Sequence, residues 1–440
     1  MSLTTIGLLG IGLFLILVFL RMPVGFALLL SGFLGYWYLD GINTSLATLS
    51  TIPYRMLTNY VFTALPPFIL MGQLAFYTGL SSDAYELARR WLGFLRGGLA
   101  VATIGGCTLF SAVTGSPVAC ALTMVGVSLP EMRRANYDDR LSTGSIATGS
   151  ILGPMIPPST VFIIYAFLTE VSLGFLFIAG ILPGLMLSAL YMLTIVIWVR
   201  FNPSLAPAST EKYSWKQRVL GFPSVWGIAV LFILVLGGIY IGLFTPTEAG
   251  AIGAFGVFVV GLLKRTLGWK TFGTALLEAG RTAGTILILF IGVYTFNAFL
   301  AISRLPFELS DLITGLPLPP LAIMGVIMLM YIVTGLFMDC MAVVFITVPL
   351  MYPTVLALGF DPLWFGVMIV LVSGLGAITP PYGIIIFAMS GLVKDIPMWT
   401  MFRGCFPFFF SNLAGIIILM FFPQIAYWLP YLTSQVVTFG

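Results

Sequence analysis

The sequence predicts an all-α polytopic membrane protein built as two inverted-topology repeats, each with about five spans and one re-entrant hairpin. Three observations carry that prediction. The 440 residues are 60% hydrophobic and only 8% charged. Apolar runs recur at about the 20-residue length that crosses a bilayer. A set of glycine, hydroxyl and proline breaks occurs twice, in the same order.

A soluble domain carries about 25% charged residues, so no water-soluble core accounts for this composition. The first apolar run, Leu3 to Leu20, has no basic residue before it and no small-residue cleavage site after it. It reads as a retained span, with the mature chain expected to start near Met1. Cys107, Cys120, Cys340 and Cys405 are scattered and form no Cys-x-x-Cys pair, and histidine is absent. That removes the usual zinc site and any histidine-based triad, so an enzyme is not expected. The net charge of +4 matters only through where the basic residues fall, and no nucleic-acid partner is expected.

In chain order, spans are expected near 4–20, 24–39, 60–80, 142–167 and 173–199, and then near 225–243, 248–263, 284–303, 362–392 and 404–428. Two segments, 98–132 and 318–358, are too long for one span and too interrupted for two. Each breaks near its middle at Val-Thr-Gly, and each reads as a re-entrant hairpin. Arg89, Arg90 and Arg96 precede the first hairpin, and Arg133, Arg134 and Arg140 follow it. Both its ends are therefore expected on the cytoplasmic side. Tracing outward places Arg21, the 200–218 loop (Arg200, Lys212, Lys216, Arg218), Lys264, Arg265, Lys270, Lys394 and Arg403 inside. Of the loop cations only Arg55 and Arg304 fall outside, and both termini are expected in the periplasm. The stretch 82–97 alternates charged with apolar and aromatic residues at helical spacing behind Ser82 as a cap. It is expected to lie along the cytoplasmic interface as a brace.

The repeats are expected over 1–212 and 213–440, with broken helices at 142–167 and 362–392. Val113-Thr114-Gly115 matches Val333-Thr334-Gly335, and Cys120 matches Cys340. Ser150, Gly153, Pro157-Pro158, Gly180 and Pro183 match Ser373, Gly376, Pro380-Pro381, Gly404 and Pro407. An odd number of crossings per half turns the second half upside down relative to the first.

Tandem prolines remove two backbone donors at once. The carbonyls four residues earlier then lose their partners: Gly153 and Pro154 in the first half, Gly376 and Ala377 in the second. Unsatisfied oxygens at mid-membrane depth need a cation, a hydroxyl or a cavity. The hairpin breaks offer Ser111, Thr114 and Ser116 in one half and Thr334 in the other. Alkali cations such as Na⁺ take several oxygen ligands, so the duplicated motif predicts two cation sites, one per repeat. Half-helix N-termini present free N–H groups to an anion. The substrate region is therefore expected where the two hairpin tips meet, with Gly115, Ser116, Thr334 and Asp339 at the tips and Pro158 and Pro381 at the facing breaks. Asp339 either helps bind cation or substrate, or caps the half-helix that follows it. Thr245-Pro246-Thr247-Glu248 reads as a capping box, and Asn297 as a hydrogen-bonding group on a packed helix face.

The motifs R-M-P-V-G-F-A-L (21–28), T-G-S-P-V-A (114–119), I-P-P-S (156–159), A-G-I-L-P-G (179–184), T-P-T-E-A (245–249) and I-T-P-P-Y-G (378–383) together resemble the large membrane subunit of tripartite ATP-independent periplasmic (TRAP) transporters. The resemblance runs from about residue 20 to 425. It implies a sodium-coupled, elevator-type importer of organic acid anions in the bacterial inner membrane, with scaffold and transport domains. It also implies two partners, a small membrane Q subunit and a soluble periplasmic substrate-binding protein. Carried onto matching positions, it implies Ser111, Thr114, Gly153, Ile156 and Pro157 around one sodium ion, and Gly335, Gly376, Thr379 and Tyr382 around the other. Where the family often has Ser-Gly-Ser, this chain has Thr114-Gly115-Ser116, a hydroxyl-preserving change, followed by the stiffer Pro117.

A stand-alone ion-coupled carboxylate transporter of similar fold is the alternative. A channel would need a continuous polar path, and an intramembrane enzyme a positioned base and nucleophile.

Overall fold

The computed structural model describes residues 2–207, 213–381 and 383–437, and the side chains of 2–207, 213–381 and 383–432. Lys212 and Tyr382, both used in the sequence reading, lie outside the described residues. The described chain is helical with no strand, and eight of its helical segments are long and apolar enough to cross a membrane. The shorter apolar helices are the first two, Leu3–Phe19 and Val24–Asp40, and the hairpin and broken-helix pieces.

Ser2 caps Leu3–Phe19, accepting from the Thr5 amide at 3.2 Å. Val24–Asp40 starts directly after Pro23, whose fixed φ suits a helix start. It packs along Trp269–Ile302, the longest helix at 34 residues. At 1.5 Å per residue that helix is about 51 Å long and outreaches the apolar layer of about 30 Å. Glycines set the spacing between the two helices. A side-chain carbon on Gly32 would stand 2.6 Å from Phe296 Cα, and one on Gly292 would overlap the Gly25 carbonyl.

Several boundaries differ from the hydropathy reading. The region between the second and third expected spans forms a helix, Ile42–Thr58, which mixes polar and apolar residues and contains Pro53. The 60–80 span is a short Tyr60–Thr63 turn followed by Leu65–Tyr77. The 225–243 span contains a π-turn at Ile233–Gly237. The 404–428 span is Met398–Phe421, after which a separate helix, Gln424–Val437, begins. The capping box at Thr245 forms as expected, with reciprocal bonds between Thr245 and Glu248. Asn297 is half-buried and makes no hydrogen bond among the described residues.

The brace helix spans Leu80–Leu92 and not 82–97. Its cap is Gly79 in the left-handed conformation, so Ser82 falls inside the first turn. Its side chains reach three other segments of the chain. Asp83 pairs with Lys264, Arg89 reaches Glu131 at 3.5 Å, and the Trp91 indole donates to the Arg218 carbonyl at 3.2 Å.

At the centre, the order hairpin, broken helix, long helix occurs twice. The first set is Gly98–Thr114 with Pro117–Arg134, then Asp139–Ser150 and Leu152–Met155 with Thr160–Thr169, then Leu173–Phe201. The second is Pro320–Gly335 with Cys340–Ala357, then Pro362–Gly376 with Ile384–Leu392, then Met398–Phe421. The two sets interlock at both ends. At one end Arg133 pairs with Asp395 at 2.5 Å, and the Gly144 backbone lies against Gly404. At the other the Tyr165 hydroxyl donates to the Pro362 carbonyl at 2.6 Å, and Tyr352 to the Thr169 carbonyl at 3.5 Å. These pairings bring together the segments that the charge pattern assigns to a common side.

Asp138 caps the first broken helix, accepting from the Arg140 amide at 2.8 Å. The Arg140 guanidinium hydrogen-bonded to it holds the Asp138 carboxyl below the usual carboxylate range, against a burial contribution that raises it. Asp138→Ala is expected to cost about 1 kcal/mol at neutral pH. A carboxyl held low when folded stabilises fully above its unfolded pKa of about 3.9, and the gain is lost as pH falls through the lower folded value. Thermal unfolding in detergent should show a wild-type advantage at pH 7 that shrinks progressively below pH ~4.

Candidate functional site

The first break is buried throughout, from Ile151 to Thr160. The helix stops at Met155, the Pro157-Pro158 bond is cis, and the chain resumes at Thr160 behind Ser159, whose hydroxyl accepts from the Phe162 amide at 3.2 Å. Prolines at 157 and 158 can offer no N–H to the Gly153 and Pro154 carbonyls. The first hairpin tip is seated on this break. Gly115 turns the chain at φ +58°, with its backbone against the Pro158 carbonyl. A side-chain carbon on Gly153 would stand 3.1 Å from the Ser116 carbonyl carbon. Ser116 caps the returning arm, accepting from Ala119 at 3.4 Å, with Pro117 at its first position. The Thr114 hydroxyl donates to Phe110 in its own helix at 3.3 Å, leaving its lone pairs free. Ser111 is fully buried and its hydroxyl has no partner among the described residues. Ser111, Thr114, Gly115, Ser116, Gly153, Ile156, Pro157 and Pro158 therefore lie on one tip-and-break assembly. Thr160 joins it unforeseen, its hydroxyl 3.5 Å from the Gly115 carbonyl. Its place directly after the capping Ser159 was the available signal.

The second assembly has the same parts in a more open setting. Gly335 ends the first arm of its hairpin, and the turn follows over 336–339, after the Val-Thr-Gly motif. Gly376 approaches so closely that any side chain on it would overlap the Gly335 carbonyl. Ser373 sits beside them, hydrogen-bonded to Cys340 at 2.9 Å. The Thr379 hydroxyl donates to Leu375 at 2.6 Å, and Thr334 to Met330 at 3.0 Å. Neither carbonyl here is free, contrary to the proline argument. Ala377 accepts from the Ile385 amide at 3.1 Å across the break, and Gly376 from Thr379 at a long 3.4 Å. The Pro380-Pro381 bond is again cis, but both prolines are exposed where their counterparts are buried.

Asp339 stands at the N-cap of Cys340–Ala357 without a capping hydrogen bond from its side chain. It borders a cavity of about 410 Å³ together with Val24, Phe26, Thr285, Leu289 and Ile384. This cavity lies between the second tip and the helices Val24–Asp40 and Trp269–Ile302. Each tip rests on the break of its own repeat, and its returning arm packs on the distal half of the other repeat's broken helix: Pro117–Arg134 against Ile384–Leu392, and Cys340–Ala357 against Thr160–Thr169. The crossed packing thus ties each tip-and-break assembly to the other.

Residues 11–425 match the family described as tripartite ATP-independent periplasmic transporter, DctM component. The C4-dicarboxylate TRAP transporter large permease protein DctM of Pseudomonas aeruginosa is 32% identical, over 84% of this chain and 86% of that protein. The 2,3-diketo-L-gulonate TRAP transporter large permease protein YiaN of Escherichia coli is also 32% identical, over 92% of this chain and 94% of that protein. Among solved structures, the YdaH transporter of Alcanivorax borkumensis shares the fold, with a TM-score of 0.62 at 17% identity over 89% of each chain.

Proposed function

This chain belongs to the DctM component family of tripartite ATP-independent periplasmic transporters, and on that premise we propose that it is the sodium-coupled membrane importer of a small organic acid anion. The acid, a carboxylate or sulfonate, is delivered by a soluble periplasmic binding protein, and a small Q subunit completes the membrane part. About two sodium ions drive each cycle, one at each tip-and-break assembly. Both termini face the periplasm.

The observation that carries this reading is the Ser111 hydroxyl, fully buried and without a partner among the described residues, on the hairpin arm whose tip is seated on the Pro157-Pro158 break. An unsatisfied buried hydroxyl costs about 1–3 kcal/mol, and a sodium ion bound by Ser111, Thr114 and the freed carbonyls repays it. The second assembly lends Gly335, Gly376 and Thr379. Its exposed prolines and the cavity beside Asp339 fit a state open to the cytoplasm, because the cavity is walled by the 18–26 turn that carries Arg21. Moving the central hairpins and broken helices as a block against the scaffold would carry the sites across the membrane, with the brace helix joining the two parts.

Uptake into proteoliposomes holding both membrane subunits, with binding protein outside and an imposed sodium gradient, tests the reading. Uptake should require sodium and fall at least about tenfold when Thr114→Ala and Thr379→Ala are combined. Uptake indifferent to sodium would sink it. Full-rate uptake without the binding protein would favour the stand-alone transporter.

A further inference from the structure

At the end of the molecule assigned to the periplasm, residues 359–364 and 420–427 enclose a cavity of about 260 Å³. It is separate from both tip-and-break assemblies. Phe360 and Trp364 stack, with ring centroids 5.3 Å apart and planes at 17°. Trp364 is held by an indole hydrogen bond to the Leu419 carbonyl at 2.9 Å. Tyr427 and Met420 complete the walls. Asp361 stands among the lining residues. Its Oδ1 accepts from the Leu363 and Trp364 amides at 2.7 and 3.1 Å, and its Oδ2 has no partner among the described residues.

Nothing in the neighbouring sequence neutralises that carboxylate. No lysine or arginine occurs between Arg304 and Lys394, after Arg403, or between Arg140 and Arg200. A second carboxylate, the exposed Glu170, is brought to the same end by the bonds from Tyr165 to Pro362 and from Tyr352 to Thr169. Stacked rings with a free carboxylate at their edge suit a planar cation, which gains both ring contact and a charge-assisted hydrogen bond. An anionic solute or a lipid phosphate would meet uncompensated negative charge.

The geometry points to this cavity as a socket for an arginine side chain on the membrane-facing surface of the soluble substrate-binding protein. The assignment rests on the three-component reading and the periplasmic orientation proposed above. Arginine fits better than lysine because its guanidinium lies flat on an aromatic face while pairing with a carboxylate. The socket adds to docking and plays no part in sodium binding, so losing it should change the binding-protein dependence of uptake and not its maximal rate.

The test is sodium-driven uptake by the complete two-subunit membrane complex in proteoliposomes, measured against binding-protein concentration. Asp361→Asn keeps the amide-capping oxygen and removes the charge, and Tyr427→Ala removes a wall. Each should raise the half-saturating binding-protein concentration about tenfold with the maximal rate kept. Asp361→Asn should also flatten the salt dependence of that concentration. Unchanged half-saturation and salt dependence in both variants, with wild-type uptake still requiring binding protein, overturns the socket alone. Wild-type uptake that needs no binding protein overturns the three-component reading and the socket with it. A shift that appears only in vesicles containing phosphatidylethanolamine assigns the cavity to a lipid head group and also overturns the proposal.

Discussion

Gly376→Ala is expected to shift sodium-driven uptake to sodium concentrations about one to two orders of magnitude higher, whereas Gly335→Ala leaves it nearly unchanged. The two glycines face each other across the second tip-and-break assembly, but the space around them is unequal. A methyl group on Gly376 would overlap the Gly335 carbonyl, a backbone atom that can retreat only if the hairpin moves. A methyl group on Gly335 would find its nearest neighbours at 3.7 Å, ordinary contact distance. Forcing extra volume into a packed site costs about 1–3 kcal/mol, and here the displaced atom is a proposed ligand. Sodium affinity at this site should therefore fall by one to two orders of magnitude. Uptake against sodium concentration, with monodispersity as a check on folding, reads the outcome. Equal failure of both variants would mean that general packing, and not the ligand geometry, is being measured.

Ser111→Ala should produce opposite effects on stability and on transport. Without sodium the buried hydroxyl is unsatisfied, so its removal should leave thermal stability unchanged or raise it by about 1 kcal/mol. With sodium the variant lacks a ligand, and its sodium affinity should drop about tenfold to a hundredfold. Thermal unfolding at increasing sodium concentrations separates the two. The wild type should gain stability with sodium by mass action, and the variant should gain it only at much higher concentrations. If Ser111 merely fills space, both proteins will respond to sodium alike.

The features legible in the sequence were those decided within a few residues. Tandem prolines cannot continue a helix wherever they fall, so both breaks could be placed from Pro157-Pro158 and Pro380-Pro381 alone. The Thr245 to Glu248 box closes on itself and needs no tertiary context. Hydropathy missed helices that do not span: Ile42–Thr58 carries Asn43, Thr44, Ser45 and Arg55 among its apolar residues, and Leu305–Thr314 carries Glu308 and Asp311. At the brace, a glycine able to turn left-handed at position 79 outcompeted a capping serine three residues later.

What stayed hidden was set by distant partners. The Ala377 carbonyl looked orphaned because the proline that should serve it has no N–H. Its actual donor, Ile385, is eight residues on and reaches it only because the chain doubles back through Gly383 at φ +43°. The crossed packing of each returning arm on the other set's broken helix was equally hidden, because it joins segments from opposite halves of the chain. The burial of one break and exposure of the other cannot be read from matching motifs, since the difference lies in what packs outside them.

The crossed packing of the returning arms also bears on ancestry. Thr160–Thr169 is covered by an arm from the other half of the chain, and Ile384–Leu392 likewise. A half-length protein with either set of elements alone would leave the face of that helix now covered by the other half's arm open. The smallest self-sufficient unit is therefore the pair. A half-length forebear would have had to cover those faces with a second copy of itself, and fusion would have made that partnership permanent.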